Sequence, residues 1–241
     1  MKFNISRNWN LFKKSYTGRD VEKYVIGRPL YSIFLYEDDG YYQTDDEIPY
    51  VYDQRGYKHK MYVGANGSGN AATRYEEGTR RILDIDGDGM IGAGDMVYQG
   101  SALPLAYGGW VNEVKWKGFD VNLHFQGAGK SSFFIDGFGV RPFSGGDWGN
   151  ILTDVVGNYW SLGTNENPDA KYPRLTWQNN SNNNRESTYW LRDGSYLRLK
   201  TVEVGYTLPK SISKHALMEK CRFYFTAYNP WIFAMDSKLK G

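Results

Sequence analysis

Hydrophobic and polar residues alternate most regularly between residues 110 and 126 of the chain. A repeat of two residues is the repeat of a β-strand, whose successive side chains point to opposite faces of a sheet. The alternation is interrupted once, at Lys117-Gly118, where a glycine permits a tight turn. It therefore predicts an antiparallel hairpin of two strands, 110–117 and 119–126. The apolar face carries Trp110, Val114, Trp116, Phe119, Val121, Leu123 and Phe125, and the polar face carries Glu113, Lys115, Lys117, Asp120, Asn122, His124 and Gln126.

Three further segments show the same two-residue period. Residues 196–208 alternate until Pro209, which cannot donate a backbone hydrogen bond to a neighbouring strand. Residues 222–228 form a last predicted strand, and a short helix is expected in the basic connector 210–220. A shorter apolar stretch, 31–36, ends in turn-forming residues. The opening segment places Phe3, Ile5, Arg7, Trp9 and Leu11 on one face.

The connections between these strands alternate in length. Short connections at 117–118 and 209–220 are separated by long ones at 43–109 and 127–195. Membrane barrels combine short periplasmic turns, long external loops and strands of ~9–11 residues with an apolar outer face. We therefore predict an all-β fold, an antiparallel fragment of a transmembrane β-barrel with long extracellular loops. The apolar face of the 110–126 hairpin would contact outer-membrane lipid, and its polar face would line the lumen.

Composition limits the alternatives. The 28 glycines, 20 tyrosines and 8 tryptophans indicate aromatic-rich strands joined by loops, although a soluble β-sandwich would have a similar composition. The net charge of +2 excludes the strongly basic surface of a nucleic-acid-binding protein. Cys221 is the only cysteine, so the chain forms neither an internal disulfide nor a cysteine-based metal site. No apolar run reaches the ~18 residues of a membrane helix.

The first residues bear on export. Residues 1–6 lack the apolar segment of a signal peptide. An exported barrel requires such a peptide, so we expect that the chain either is cytoplasmic or lacks its true N-terminus.

Residues 84–95 match a calcium-binding loop. Hard cations prefer oxygen ligands, and acidic residues at loop positions 1, 3 and 5 converge on one ion because the loop winds around it. Gly89 stands at position 6, where the loop turns sharply. The alternative is a glycine-rich turn with solvated acids. Flanking helices are not evident, so we expect a structural Ca²⁺ that staples the loop. The predicted ligands are Asp84, Asp86, Asp88, the backbone carbonyl of Met90, and Asp95.

No other motif indicates catalysis, and we predict that the chain is not an enzyme. The three histidines are scattered, and no nucleophile elbow, phosphate loop or dinucleotide fingerprint occurs. A glycosidase would need two carboxylates placed across a scissile bond, which the sequence cannot establish. Aromatic residues of the long 127–195 connection could stack on a sugar substrate or pack that connection against itself. They are Trp148, Tyr159, Trp160 and Trp177.

Three ordered stretches carry recognisable motifs. The first runs from Gly27-Arg28-Pro29-Leu30 through Phe34 to Asp39-Gly40-Tyr41-Tyr42. The second follows the 84–95 loop with Gly100-Ser101-Ala102-Leu103-Pro104, Tyr107-Gly108, Trp116-Lys117-Gly118-Phe119-Asp120 and Phe125-Gln126-Gly127. The third contains Tyr172-Pro173-Arg174-Leu175, the asparagine-rich run 179–184, Trp190-Leu191, residues 193–200 and Val204-Gly205-Tyr206-Thr207-Leu208-Pro209. In this order and spacing, the set resembles the SusC/RagA family of TonB-linked outer-membrane transporters.

The resemblance implies that residues 1–241 are a partial TonB-dependent receptor β-barrel from the C-terminal part of such a protein. The plug domain, the TonB-contacting segment and the final strands are expected to be absent, since the chain stops at 238–241 where relatives continue. The intact parent would import oligosaccharides or peptides across a Bacteroidota-type outer membrane, with a SusD-like lipoprotein lid and energy from TonB. The alternative function is a secreted, calcium-stapled, β-rich carbohydrate-binding module.

Overall fold

The computed structural model describes residues 1–14, 26–52, 58–60, 75–89, 91–137, 140–143, 150–162, 166–176, 180–215 and 217–236. Most regular structure in these residues is β-strand, as predicted. The strands are β1 Lys2–Arg7, β2 Ser32–Tyr36, β3 Asp38–Tyr41, β4 Tyr50–Tyr52, β5 Lys58–Lys60, β6 Arg80–Ile82, β7 Met96–Ser101, β8 Ala106–Trp116, β9 Phe119–Gly129, β10 Ser132–Phe134, β11 Leu191–Asp193, β12 Tyr196–Thr207 and β13 Arg222–Ala234. A single helical turn and a half, α1 Lys210–His215, occupies the basic connector. None of the described helices has the length and apolar character needed to span a membrane.

The chain divides into two compact units. The first, here the sheet unit, contains Met1–Ile33, Gly100–Phe133 and Arg192–Gly241. The second, here the loop unit, contains Phe34–Gln99 and Phe134–Leu191.

The sheet unit is built on one five-stranded antiparallel sheet with the order β1-β8-β9-β12-β13. The predicted hairpin is confirmed as β8 and β9, with strands that extend beyond the predicted ends. Trp116 pairs with Phe119, and Lys117 and Gly118 form the turn with φ values of 46° and 88°. Positive φ at both central residues is the type I′ geometry that matches the twist of a hairpin. A Cβ on Gly118 would also lie 2.8 Å from the Thr207 carbonyl oxygen, so glycine fits this position on two grounds.

One irregularity changes the phase of the alternation in both of the last strands. Around Lys200 the register of β12 shifts, which moves the outward side chains from Leu197 and Leu199 to Val202 and Val204. The same irregularity lies opposite residues 229–230 of β13, which include Pro230. A proline is tolerated at a bulge, where no ladder hydrogen bond is required. The prediction that the last strand covers 222–228 was therefore too short.

The register places all short connections of the sheet at one end. The β8–β9 turn and the β12–β13 connection share this end, because Tyr206 pairs with both Phe119 and Phe223. The opposite end carries Arg7, Ala106 and Gly129, where the chain leaves for its long connections. The predicted separation of short and long connections is confirmed, whereas their periplasmic and external assignment stays a prediction.

The loop unit holds the hydrophobic core of the described chain. One buried cluster contains Tyr42, Ile48, Tyr75, Ile82 and Ile91, and a second contains Tyr41, Trp160 and Ala170. Burial raises the pKa of Tyr42 to about 12. The long connection predicted at 43–109 contains regular structure, because β4, β5 and β6 lie within it and pair as β4–β5 and β3–β6.

The asparagine-rich run forms specific contacts in this core. The side-chain oxygen of Asn183 accepts the Arg80 N–H at 3.0 Å, and the Asn182 amide donates to the Arg80 carbonyl at 2.8 Å. Asn183 also donates to the Arg174 carbonyl at 3.2 Å. Asn182 is only 1% exposed. These side chains satisfy backbone groups that short strands leave unpaired, which explains why a polar run is buried.

Candidate functional site

The candidate site is the five-stranded sheet, whose two faces have opposite character. Its apolar face consists of rows of paired side chains that cross every strand. One row joins Phe3, Trp110, Phe125, Leu199 and Trp231 in register. The large apolar residues exposed on this face are Phe3, Ile5, Trp110, Val114, Trp116, Phe119, Leu197, Val204, Phe223, Phe225, Trp231 and Phe233. A contiguous apolar surface of this extent marks a face that contacts a partner or a membrane.

The exposure of this face is high for such large side chains. Trp116 is 65% exposed and Phe225 is 67% exposed. All buried hydrophobic residues of the described chain belong to the loop unit, and none belongs to the sheet. The sheet is therefore held by its backbone ladders and by cross-strand pairs such as the stacked rings of Trp110 and Phe125, 5.5 Å apart.

The opposite face of the same strands carries a hydrogen-bonded charge network near the hairpin end. The guanidinium of Arg222 on β13 donates to Asp120 on β9 at 3.1 and 2.5 Å, and to Glu203 on β12 at 2.6 Å. Towards the other end, Arg198 donates to the side-chain oxygen of Gln126 at 3.2 and 2.6 Å. The predicted polar residues Asp120 and Gln126 thus lie on one face, together with partners from two later strands.

The alternation of apolar and polar residues does not reveal this network, although a glycine marks its position. Arg222 reaches Asp120 by crossing over Gly205 of the intervening strand β12. A Cβ on Gly205 would lie 2.5 Å from a guanidinium nitrogen of Arg222. A glycine inside an otherwise regular strand indicates the close approach of another group, and this signal could have pointed to the crossing.

The acidic loop of the loop unit brings three of its predicted ligands together. The carboxylates of Asp84, Asp86 and Asp88 offer oxygen atoms within 4.8 Å of one another. Asp84 also accepts the Gly87 N–H at 2.7 Å and the Gly89 N–H at 2.8 Å, which curls the loop around its carboxylate. Oxygen atoms at this spacing suit a hard cation such as Ca²⁺.

The charge of the cluster is visible in the pKa of Asp86. A hydrogen bond from the Asp88 amide lowers this pKa, but partial loss of hydration and the charges of Asp88, Asp95 and Asp84 outweigh it, so the net direction is upwards. Mutual repulsion of this kind is relieved when a cation binds between the carboxylates.

Asp95 lies outside this cluster of three carboxylates. It is fully buried, and one of its oxygens accepts the Ile85 and Asp86 N–H groups at 2.7 and 3.3 Å. Its other oxygen accepts the Gly92 N–H at 2.7 Å. This geometry makes Asp95 a cap that closes the loop through its backbone, and its role as a calcium ligand stays a prediction. Met90, the other predicted ligand, falls outside the described residues.

The predicted aromatic residues do not form a common surface. Trp160 is 3% exposed, its ring packs against Gly78, and its indole N–H donates to the Gln43 side chain at 2.8 Å. It therefore packs the loop unit against itself. The predicted stacking of Trp160 on a sugar does not fit this burial, because the ring has no face open to a ligand. Tyr159 is half-buried and forms a bridge with Tyr172. Trp148 and Trp177 lie outside the described residues.

Comparison with known proteins gives two sequence relatives, and no protein-family model matches the chain. The chain is 29% identical over 231 residues to TonB-dependent receptor P3 of Formosa agariphila, an alignment that covers 94% of the chain and 21% of that protein. It is 31% identical over 132 residues to TonB-dependent receptor P26 of the same organism, which covers 55% of the chain and 13% of the relative. The chain thus spans about a fifth of the length of its better-covered relative.

Solved structures share the fold. Chains of the RagAB peptide importer in the open-open and closed-closed states align with TM-scores of 0.57 and 0.60 at 20% identity. A further structure of the RagAB peptide transporter aligns with a TM-score of 0.61, again at 20% identity. Each alignment covers at least 96% of this chain and at most 23% of the solved chain. The matched proteins are named as receptors and importers rather than as enzymes, in agreement with the prediction that the chain is not an enzyme.

The chain is therefore similar in sequence to two TonB-dependent receptors, and it shares its fold with chains of the RagAB importer.

Proposed function

We propose that this chain forms part of the wall of a TonB-dependent outer-membrane transporter that imports nutrients. The observation that carries this proposal is a sheet with one face of large exposed apolar residues and an opposite face that carries the charge network of Arg222. In a membrane barrel the apolar face contacts lipid and the polar face lines a water-filled interior. The same residues in water would leave a large apolar surface exposed, which favours aggregation rather than a stable soluble state.

The polar face supports an aqueous interior. Arg222 engages two carboxylates, Asp120 and Glu203, and stays partly exposed, as expected of a charge network that borders water. Charged side chains at the bilayer centre are costly, so a network of this kind belongs on the lumen side of a spanning strand. The alternative, a secreted carbohydrate-binding module, would need a second layer over the apolar face, because sandwiches bury such faces between two sheets.

We also propose the partners and substrates that the resemblance implies. The named relatives are TonB-dependent receptors, and the fold neighbours come from a peptide importer. The intact transporter would take up oligosaccharides or peptides, receive them from a SusD-like lipoprotein and draw energy from TonB. The periplasmic side would carry the Gly118 turn and the 209–220 connector, and the acidic loop and residues 127–189 would face outward.

Complementation tests this function in the host bacterium. The natural polypeptide that contains this chain would be disrupted, and growth would be compared on peptide mixtures and on oligosaccharide mixtures as sole nutrient. We expect a growth defect on one nutrient class, restored by the wild-type gene. Recovery of the wild-type polypeptide from the medium or the cytoplasm, rather than from the outer-membrane fraction, would contradict the proposal. Normal growth of the disrupted strain on both nutrient classes would contradict the transport role.

We further propose that the acidic loop binds one structural Ca²⁺ through Asp84, Asp86 and Asp88. The convergence of their carboxylates supports this proposal. Asp95 stabilises the loop by accepting the backbone N–H groups of Ile85 and Gly92. The ion would neutralise the cluster and fix the loop unit, with no part in chemistry. The Met90 carbonyl and Asp95 remain the predicted additional ligands.

Calorimetric titration with Ca²⁺ tests this site. Asp88→Ala should weaken binding strongly, whereas Asp154→Ala, an exposed acid outside the loop, should leave it unchanged. Asp95→Asn separates the two roles of that residue: a ligand role predicts a loss comparable with that of Asp88→Ala, and a capping role predicts a smaller one. Equal affinity of the wild type and of Asp88→Ala for Ca²⁺ would contradict the proposed site.

A further inference from the structure

The apolar face of the sheet contains a groove at the end opposite the hairpin turn. Its volume is about 530 Å³, within the range of ~300–1,000 Å³ that ligand pockets occupy. Phe3 and Ile5 form one wall, and Leu197 and Met235 form the other. The stacked rings of Trp110 and Phe125 close the groove towards the middle of the sheet.

The floor of this groove is open because the paired strands there carry only glycines and Ala106 on this face. Gly108 of β8 pairs with Gly127 of β9, and Gly129 lies two residues further on the same face. A Cβ on Gly129 would meet no atom within 4 Å. The strand pairing therefore does not require glycine at position 129, and the free space above it is the space that a ligand would fill.

Positive charge flanks the open end of the groove. Arg7 lies on the same face of β1 as Ile5, opposite Ala106, and is exposed. Its guanidinium carbon lies 5.0 Å from the centre of the Trp9 ring, which is a cation–π contact. Lys130 directly follows Gly129 and is also exposed.

The acidic residues at this end have a different task. Asp193 accepts the Ser195 N–H at 2.8 Å, and Asp236 accepts the Asp193 N–H at 3.2 Å. Both carboxylates thus hold turns on the β12–β13 side. Arg7 pairs with Ala106 and Lys130 follows Gly129, and because Ala106 and Gly129 line the groove, positive charge at this end favours an anionic group there.

We propose that this groove holds one acyl chain of an anionic membrane lipid, with the lipid phosphate at Arg7 and Lys130. The inference rests on the proposed function, since it needs the apolar face to lie in a bilayer. It adds a specific site to that face. Continuity with the lipid-contacting surface supplies the acyl chain, and the two cations select the headgroup.

The test uses the natural polypeptide that contains this chain, purified in mild detergent. Native mass spectrometry would count retained lipid after exchange with phosphatidylglycerol or with phosphatidylcholine of the same acyl chains. Gly129→Leu fills the groove without a backbone clash, and the double variant Arg7→Gln/Lys130→Gln removes the charge. Val114→Leu, on the same face near the hairpin end, and Lys2→Gln, a cation on the other face, are the matched controls.

We expect the wild type and both controls to retain one phosphatidylglycerol in preference to phosphatidylcholine. Gly129→Leu should lose that lipid, and the double charge variant should lower the preference by roughly tenfold. Equal retention of both lipids by the wild type, or wild-type retention by Gly129→Leu, would overturn the site while leaving the transporter intact. If the wild type were dimeric and Gly129→Leu monomeric, a second copy of the chain rather than a lipid would occupy the groove. A monodisperse polypeptide without detergent would overturn both proposals.

Discussion

The two units of this chain place their large apolar side chains in opposite ways. In the loop unit, Tyr42, Ile82 and Trp190 are buried and packed among hydrogen-bonded polar groups. In the sheet unit, Trp116 and Phe225 are exposed on one face of the sheet. The loop unit has a buried apolar interior like that of a protein that folds in water. The exposed apolar face of the sheet unit is the surface that the proposed contact with lipid requires.

The polar groups of the two units follow the same division. The loop unit buries polar side chains that saturate its irregular backbone, such as Asn182 and Asn183. In the sheet unit, hydrogen bonds between neighbouring strands satisfy the backbone N–H and C=O groups. Polar side chains there pair across strands on one face, as Arg222 does with Asp120 and Glu203. The loop unit should consequently be sensitive to loss of polar side chains, and the sheet unit to the introduction of charge.

The largest expected effect lies in the loop unit. Asp38 forms a buried ion pair with Arg80, whose guanidinium also lies 3.9 Å from the centre of the Tyr189 ring. Burial lowers the pKa of Arg80 to about 10, so this cation is held against a desolvation cost. Asp38→Ala removes its partner and should reduce the free energy of unfolding by ~3–5 kcal/mol.

Denaturant unfolding of the natural polypeptide, followed by tryptophan fluorescence, measures this change. The neighbouring Asp39 gives a matched control, because it pairs with Arg81 at 2.7 Å on the surface. Asp39→Ala should cost ~0–1 kcal/mol. Similar losses for the two variants would show that the Asp38–Arg80 pair is not buried as described.

Charge on the apolar face should have the next largest effect. Leu123 lies at the middle of β9, and His124 follows it on the polar face. In lipid, Leu123→Arg should destabilise the folded protein by ~2–4 kcal/mol, whereas His124→Arg should cost far less. Folding into bilayers at increasing urea concentration measures both. Equal costs would contradict a division of the sheet into lipid and lumen faces.

A smaller loss is expected when a buried amide is removed from the loop unit. Asn183→Ala leaves the Arg80 N–H and the Arg174 carbonyl without their partner, and unpaired buried groups cost ~1–3 kcal/mol. Asn158 is the control, since it is exposed and its side-chain amide donates to the Asp154 carbonyl at the surface. Unfolding of the two alanine variants by denaturant compares them, and an undiminished stability for Asn183→Ala would show that the asparagine run does not hold the core.

The smallest effect concerns a single pair on the apolar face. Trp110 and Phe125 lie directly opposite each other in the β8–β9 ladder and stack. A double-mutant cycle with alanine at both positions, measured in bilayers, should give a coupling of ~0.5–1.5 kcal/mol. A coupling near zero would indicate that lipid replaces the partner ring completely.

The sheet could be predicted from sequence because strand alternation is local. The β8–β9 hairpin follows from its period and from Gly118. The prediction failed at Lys200 and Pro230, where irregularities change the phase of the alternation and let a strand continue. A bulge depends on the neighbouring strand, so a period count along one strand cannot find it.

The candidate site was predictable to a similar degree. Convergence of Asp84, Asp86 and Asp88 follows from their spacing in a tight loop. The contact of Arg222 with Asp120 joins residues 102 positions apart, and it depends on register and on the space above Gly205. The burial of Trp160 and Asn183 depends on contacts between distant segments, which composition cannot supply. Polar, aperiodic sequence was therefore mistaken for open loop.

The two faces of the sheet are proposed to contact different solvents, lipid on one side and water on the other. A spin-label scan through residues 119–126 of the natural polypeptide in bilayers, with Cys221 replaced by serine, tests this directly. Collision rates with oxygen report lipid contact, and those with a water-soluble nickel chelate report water contact. We expect oxygen maxima at Phe119, Val121, Leu123 and Phe125, and chelate maxima at Asp120, Asn122, His124 and Gln126. Chelate access to all eight positions, or rates without alternation, would contradict it.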